Sequence, residues 1–269
     1  MIKYINPLNY LRKSSTLYNK IFAYTYSKLI FNESKVFESE KIKIDSLGLD
    51  LSWAEKKLNS ILSKNSHRKF DRSRDSFHWL LFAAISKEYK PHNILEIGTY
   101  DGFFTNILSN LFPKSKIFTV DLPESDPLMR ETYERKNESS FLQYKSERNQ
   151  NLKEDNIDLI ESNSLFILDS VTEKFDLIWI DGGHHFPEIA WDISNSYHLL
   201  NNEGIMLCDD IIISNTDMKK GYVSSDSYKT LKYLEQRTKS KMFYFLKRFD
   251  GKRYATTINR KYVSYFKKE

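Results

Sequence analysis

Two acidic strand ends carry most of the chemistry in this chain. The first lies in Phe175-Asp-Leu-Ile-Trp-Ile-Asp181-Gly-Gly-His184-His185-Phe-Pro-Glu. A short apolar run delivers Asp181, two glycines turn the chain, and two histidines follow. The second lies in Gly204-Ile-Met-Leu-Cys-Asp209-Asp210, another apolar run ending in carboxylates. Neighbouring strands of one sheet stand about 5 Å apart. Their ends would then gather Asp181, Asp209 and Asp210. Three carboxylates so close repel one another and need a cation or a shared proton. Oxygen ligands alone select a hard ion such as Mg²⁺, its shell completed by water and substrate oxygens. Zinc would draw on His184 and His185 and is the lesser option. The plain alternative makes Asp209 and Asp210 loop acids or helix caps.

A histidine next to such a centre can accept a proton. Its ordinary pKa, about 6.5, suits general base work near neutral pH. His184 is the expected catalytic residue, but spacing does not separate it from His185.

A third motif is Asn93-Ile-Leu-Glu96-Ile-Gly98-Thr99-Tyr100-Asp-Gly102-Phe-Phe-Thr105. It reads as a strand, a tight turn and a helix N-terminus. The glycines are expected there so that backbone can approach a ligand. The spacing is G-x-x-x-G, whereas a dinucleotide site would show G-x-G-x-x-G. About 20 residues after the turn, Asp121 ends the run Ile117-Phe-Thr-Val-Asp121, where a carboxylate can accept both hydroxyls of a ribose. Glu96, Thr99 and Tyr100 belong to the same ligand-binding set, with Glu96 expected to bond loop amides or a ligand amine. Asn163, in Glu161-Ser-Asn163-Ser164, follows the third expected strand and by itself reads as a turn residue.

The elements that would position these residues alternate in type. Strands are expected at 93–97, 116–121, 157–161, 175–181 and 204–209, with helical or irregular segments between them. That pattern implies an α/β fold with a doubly wound, mostly parallel sheet. Two β-rich runs, Met242 to Phe249 and Lys252 to Ile258, flank Asp250-Gly251, a strong hairpin signal. Residues 1–90 read as helical. The strongest segment, Arg74 to Tyr89, has a wide apolar face to lay on the sheet. Residues 1–72 are expected as a helical extension and 73–269 as the ligand-binding domain. The polar stretch 122–156 reads as a long insertion, a lid or a disordered segment.

Acids outnumber bases by 13 over residues 91–210, while bases lead by 8 before that segment and by 10 after it. An acidic middle suits a cation. The bases are scattered rather than clustered, so nucleic acid is not the expected partner. The single cysteine, Cys208, excludes an internal disulfide and fits a reducing compartment. No transmembrane run and no signal peptide are expected, which makes the cytoplasm the default location. The sequence leaves room for a homo-oligomer without pointing to one.

Acid-x-Gly-x-x-x-Gly after a strand, Glu96 to Gly102 here, resembles the first motif of class I S-adenosylmethionine-dependent methyltransferases. Asp-Gly-Gly-His after the fourth strand and Asp-Asp after the fifth resemble, more narrowly, the metal-dependent O-methyltransferases of the macrocin and mycinamicin sugar-tailoring type. The resemblance spans residues 77 to about 215. It implies a seven-stranded Rossmann-like sheet with a terminal hairpin. It further implies S-adenosylmethionine held by Glu96, Gly98, Thr99, Tyr100, Gly102, Asp121, Asn163 and Asp181. Mg²⁺ would sit on Asp181, Asp209 and Asp210, with His184 as base and a small-molecule or sugar hydroxyl as acceptor. Two rivals share the fold: a nicotinamide-dependent oxidoreductase, disfavoured by the glycine spacing, and an inactive nucleotide-binding or scaffold protein.

Overall fold

A computed structural model describes residues 7–131, 137–214, 219–220, 223–238, 240–256 and 259–269. Residues 1–6 of the N-terminal extension, 132–136 of the insertion and 257–258 of the expected last strand therefore lie outside the described residues.

The chain opens with four helices: α1 (Pro7–Leu29), α2 (Glu33–Asp45), α3 (Leu51–Ser66) and α4 (His78–Glu88). Asn32 and Asp50 start α2 and α3 by accepting the backbone N–H of Lys35 and Trp53 through their side chains. Then follow β1 (Asn93–Ile97), α5 (Phe103–Leu111), β2 (Lys116–Asp121), α6 (Pro127–Glu131), α7 (Glu138–Asn151) and β3 (Ile157–Glu161). A 3₁₀ turn at Ser164–Phe166 leads to α8 (Ile167–Ser170), β4 (Phe175–Ile180), α9 (Glu188–Leu199) and β5 (Leu200–Ile211). The remainder is β6 (Lys219–Lys220), β7 (Val223–Ser224), α10 (Asp226–Thr238), β8 (Met242–Leu246), α11 (Gly251–Tyr254) and β9 (Tyr262–Lys267). No helix among the described residues is long and apolar enough to cross a membrane.

The main sheet has seven strands in the order β3-β2-β1-β4-β5-β9-β8. β9 alone runs against its neighbours β5 and β8. β1 to β5 are parallel, and this is the Rossmann-like methyltransferase order. Register explains the two cores. Ile94, Leu177 and Ile205 pair across β1, β4 and β5 and face the layer of α2 to α5. Leu95, Ile178 and Met206, one residue on, face α8 to α10. The period of two sends successive side chains into opposite layers, and both layers are covered. Ile44, Leu51, Leu58 and Leu62 from α2 and α3 share the first core with the sheet.

One expectation is corrected. Asp250-Gly251 does not form the hairpin turn. Asp250 accepts the Arg253 N–H at 2.9 Å and starts α11 instead. A Cβ on Gly251 would meet Ser27 Oγ at 2.7 Å and the Phe31 ring at 2.9 Å, so the glycine marks where the N-terminal region docks. The hairpin exists, but its second strand begins only at Tyr262. The insertion, in turn, carries two helices among its described residues. The Tyr144 hydroxyl of α7 donates to the Tyr100 carbonyl at 2.9 Å, and Asn151 Nδ2 donates to the Asp101 carbonyl at 2.8 Å. α7 clasps the glycine turn from behind.

Candidate functional site

Parallel strands place their carboxyl ends on one edge, and ligands enter the crevice there. β1, β2, β4 and β5 bring Gly98, Asp121, Asp181 and Asp209 to that edge.

The glycine turn is built differently from the expectation. Gly98 has φ 99°, and a Cβ on it would lie 2.4 Å from the Asp181 carbonyl oxygen. Gly102 has φ 72°, and its Cβ would lie 2.8 Å from the Leu152 side chain. The structure itself requires both glycines, to let chain approach chain. The Asp181 N–H donates to the Ile97 carbonyl at 2.8 Å, locking the β4 tip to the β1 tip. Tyr100 also takes a left-handed conformation, φ 49°, and its N–H donates to Asp121 Oδ2 at 2.9 Å. Asp121 Oδ1 accepts the Leu122 N–H at 2.9 Å. Each carboxylate oxygen accepts more than one hydrogen bond, so this anchoring is compatible with ribose hydroxyls. Asn163 uses its Oδ1 to accept the Leu165 N–H at 3.0 Å, which makes it the cap of the 3₁₀ turn.

Glu96 is 1% exposed, and among the described residues it accepts from side-chain hydroxyls rather than loop amides. Its Oε2 accepts from Thr105 Oγ1 at 2.5 Å and from Thr119 Oγ1 at 2.6 Å, and Thr119 Oγ1 meets Thr99 Oγ1 at 2.6 Å. Burial pushes its pKa up to about 7, against the pull of the two threonine hydroxyls. The carboxyl ties β1 to β2 and to α5.

The acid cluster forms as the strand ends suggested. Its geometry depends on a bulge that no pattern announced. Cys208 pairs with Ser264 and Ile211 with Tyr262, so β5 holds one residue more than β9 across this interval. Asp210 has φ 55°, a left-handed value that Asp tolerates better than most side chains. In a regular strand, Asp209 and Asp210 would point to opposite faces. The bulge turns both toward the same partner.

That partner is Lys247. Its Nζ donates to Asp209 Oδ2, and to Asp210 Oδ1 at 2.5 Å. Lys261 Nζ donates to Asp210 Oδ2. The two lysines are cross-strand neighbours just beyond β8 and β9, the Lys247 N–H donating to the Lys261 carbonyl at 2.9 Å. Asp209 is 1% exposed and Lys247 9%. Burial works to raise the Asp210 carboxyl, but Lys247, His184 and Lys261 outweigh it and hold it well below the carboxylate range. Burial likewise opposes the Lys247 charge, and Asp209, Asp210 and Asp181 more than restore it. Asp181 is the opposite case. Burial and the neighbouring Asp209 charge raise its pKa well above the ordinary value, favouring the neutral acid.

His184 Nε2 lies 3.7 Å from Asp181 Oδ1 and 3.6 Å from Asp210 Oδ2. Its Nδ1 is buried, with no hydrogen-bond partner among the described residues. Burial lowers its pKa despite the nearby carboxylates, so the imidazole is neutral near pH 7. A further histidine, His78, went unnoticed in the sequence. Its ring packs on Trp179 and Phe104 with centroids 4.4 Å away, and its Nδ1 meets Ser76 Oγ at 2.7 Å. Burial drives its pKa down to about 3, which leaves it a neutral core residue.

The Mg²⁺ expectation fails on the donor set. Asp181, Asp209 and Asp210 do converge, but three of the four oxygens of Asp209 and Asp210 are engaged by ammonium groups. Among the described residues, no group of three or more His, Cys, Asp and Glu side chains is arranged to hold a metal ion. Lys247 and Lys261 were invisible because the last strands were placed in the wrong register. The only available signal was that each lysine sits next to an apolar β-run.

Residues 95–211 match the model of a family described as a methyltransferase domain. An O-methyltransferase from Aspergillus hancockii, hkm8, is 32% identical over 134 residues, which cover 49% of this chain and 47% of that one. A malonyl-[acyl-carrier protein] O-methyltransferase from Bacillus anthracis is 28% identical over 130 residues, covering 47% of this chain and 41% of that one. The chain thus spans less than half the length of these curated relatives. Among solved structures, the O-methyltransferase TomG from Streptomyces achromogenes, in complex with S-adenosylmethionine, aligns at a TM-score of 0.49 and 14% identity, covering 85% of this chain and 95% of that one. The fold stands on this chain's own strand order. Along its central strands, residues 95–211, the chain is similar to a methyltransferase domain, and its strand order is Rossmann-like.

Proposed function

We propose that this chain transfers a methyl group from S-adenosylmethionine to a hydroxyl oxygen of a small molecule or sugar. The observation that carries this reading is His184. It is a neutral, buried imidazole with an unpartnered Nδ1, standing beside Asp210 at the strand-end crevice. The O-methyltransferase names of the two curated relatives support the choice of oxygen.

S-adenosylmethionine, when bound, supplies an electrophilic methyl on a sulfonium. Asp121 and the turn from Gly98 through Thr99 and Tyr100 to Gly102 are the residues that would hold it. Glu96 acts behind them, keeping β1, β2 and α5 in register through Thr105 and Thr119. A hydroxyl is a weak nucleophile until it loses its proton. His184 Nδ1 would accept that proton. Nε2, facing Asp181 and Asp210, would then carry the new positive charge next to a carboxylate held ionised. One buried free cysteine is consistent with a reducing, cytoplasmic setting for this reaction.

Incubation with S-adenosylmethionine and a panel of hydroxylated acceptors should yield S-adenosylhomocysteine. In His184→Gln, turnover should fall by about 10²–10⁴-fold, while calorimetric affinity for S-adenosylmethionine stays near that of the parent. Unchanged turnover in that variant would remove His184 as the base. Binding of NADH in place of S-adenosylmethionine would reverse the functional reading altogether.

A further inference from the structure

We propose that Lys247 and Lys261 occupy the place of a divalent cation at the acid cluster, so that this protein binds neither Mg²⁺ nor Mn²⁺ there. The argument starts from the bulge in β5, which turns two consecutive acids toward one point. A pair of carboxylates buried side by side needs positive charge, and the strand ends of β8 and β9 deliver it from the protein itself. Lys247 bridges Asp209 Oδ2 and Asp210 Oδ1, and Lys261 closes on Asp210 Oδ2. The backbones of the two lysines are hydrogen-bonded to each other, so both ammonium groups approach as one unit. Two positive charges answer two negative ones, the charge that a single divalent ion would bring.

A metal ion could enter only by displacing Lys247. That would leave an ammonium in a pocket where its side chain is 11% exposed, facing an ion of like charge. Breaking a buried pair this way is strongly unfavourable. An ammonium also differs from Mg²⁺ in what it can do. It donates hydrogen bonds in three directions but offers no open coordination position. Activation of an acceptor hydroxyl therefore falls to a side chain, a point that rests on the reading of His184 given above. The charge substitution itself does not depend on that reading, because it concerns only the carboxylates and what neutralises them.

The test uses the full chain, stripped with EDTA and titrated with Mn²⁺ or Mg²⁺, with no acceptor present. Electron paramagnetic resonance should show the Mn²⁺ remaining free, and the melting temperature should not change with either ion. In the double variant Lys247→Met, Lys261→Met the carboxylates lose their internal cations. Added Mn²⁺ should then raise the melting temperature by about 2–4 °C or more, and EDTA should reverse the rise. Mn²⁺ binding by the parent protein, lost in Asp209→Ala, would overturn the proposal. So would a folded double variant that gains no response to either ion. If the double variant does not fold, the parent titration still decides, and Lys261→Met alone supplies the second arm. Failure of the methyltransferase reading would show instead as absent S-adenosylmethionine binding, a separate measurement.

Discussion

Two buried carboxylate sites, in β1 and β5 with β4 between them, are kept in opposite ways. Glu96 in β1 has no cation beside it among the described residues. Two threonine hydroxyls bond it, and burial raises it to about 7, so it holds a proton through much of the acid range. Asp210 at the end of β5 has Lys247 and Lys261 against it and stays ionised far below the usual carboxylate range. One site answers charge by removing it, the other by matching it. The difference follows from topology. Glu96 sits inside the parallel half of the sheet, where its cross-strand neighbours, Thr119 and Trp179, carry no charge. Asp210 adjoins the antiparallel hairpin, whose ends bring in two lysine side chains.

The comparison breaks first, and with the largest effect, at Lys247. Replacing it with alanine leaves two buried charges short of a partner and should cost about 3–5 kcal/mol, read from urea unfolding at neutral pH. A loss below about 1 kcal/mol would mean the site is wetter than its burial indicates. Glu96→Gln sharpens the other side. Because the folded pKa of Glu96 is raised, its contribution is fully present below 4.5 and fades as pH climbs through about 7. The parent should therefore lose roughly 3 kcal/mol of stability across that window, and Glu96→Gln should lose much less of it. An identical pH slope in the two proteins would show that Glu96 ionises normally. Asp210 runs in the reverse sense. Its folded pKa is depressed, so its contribution is present above 3.8 and disappears as pH falls below that value. Asp210→Asn should lower stability by about 2 kcal/mol at pH 7 and reduce the difference from the parent in strong acid. Thr105→Val is the mildest change, about 1 kcal/mol. It should also raise the Glu96 pKa further, visible as a wider pH window in the same unfolding series.

The parallel half of the fold was legible in the sequence. β1, β2 and β4 lie on their apolar runs, because strands buried on both faces draw on Ile, Leu, Val and Phe, and glycines and acids end them. The residues at those ends were legible for the same reason. Their roles were less so. Gly98 looked like a ligand contact, yet its missing side chain makes room for the Asp181 carbonyl. Asn163 caps the turn by accepting the Leu165 N–H, one of the two roles its sequence allowed. The cation at the acid cluster was illegible because it is a long-range fact. Lys247 lies 38 residues from Asp209, and Lys261 lies 51 from Asp210. Placing them needed the register of β9, and Asp250-Gly251 pointed to the wrong turn. Its glycine answers to Ser27 and Phe31 in the N-terminal region, more than two hundred residues earlier in the chain.

The single extra residue in β5 also bears on how such a site can change over time. Removing one residue at 209–210 would restore an even ladder with β9 and relieve a left-handed aspartate. The sheet would become more regular, and the remaining acid would swing toward one face or the other, away from half of its partners. The gain in regularity would leave Lys247 short of an acid, and breaking that buried pair costs more than relief of one left-handed residue returns. Regularity and chemistry compete here over the count of one residue.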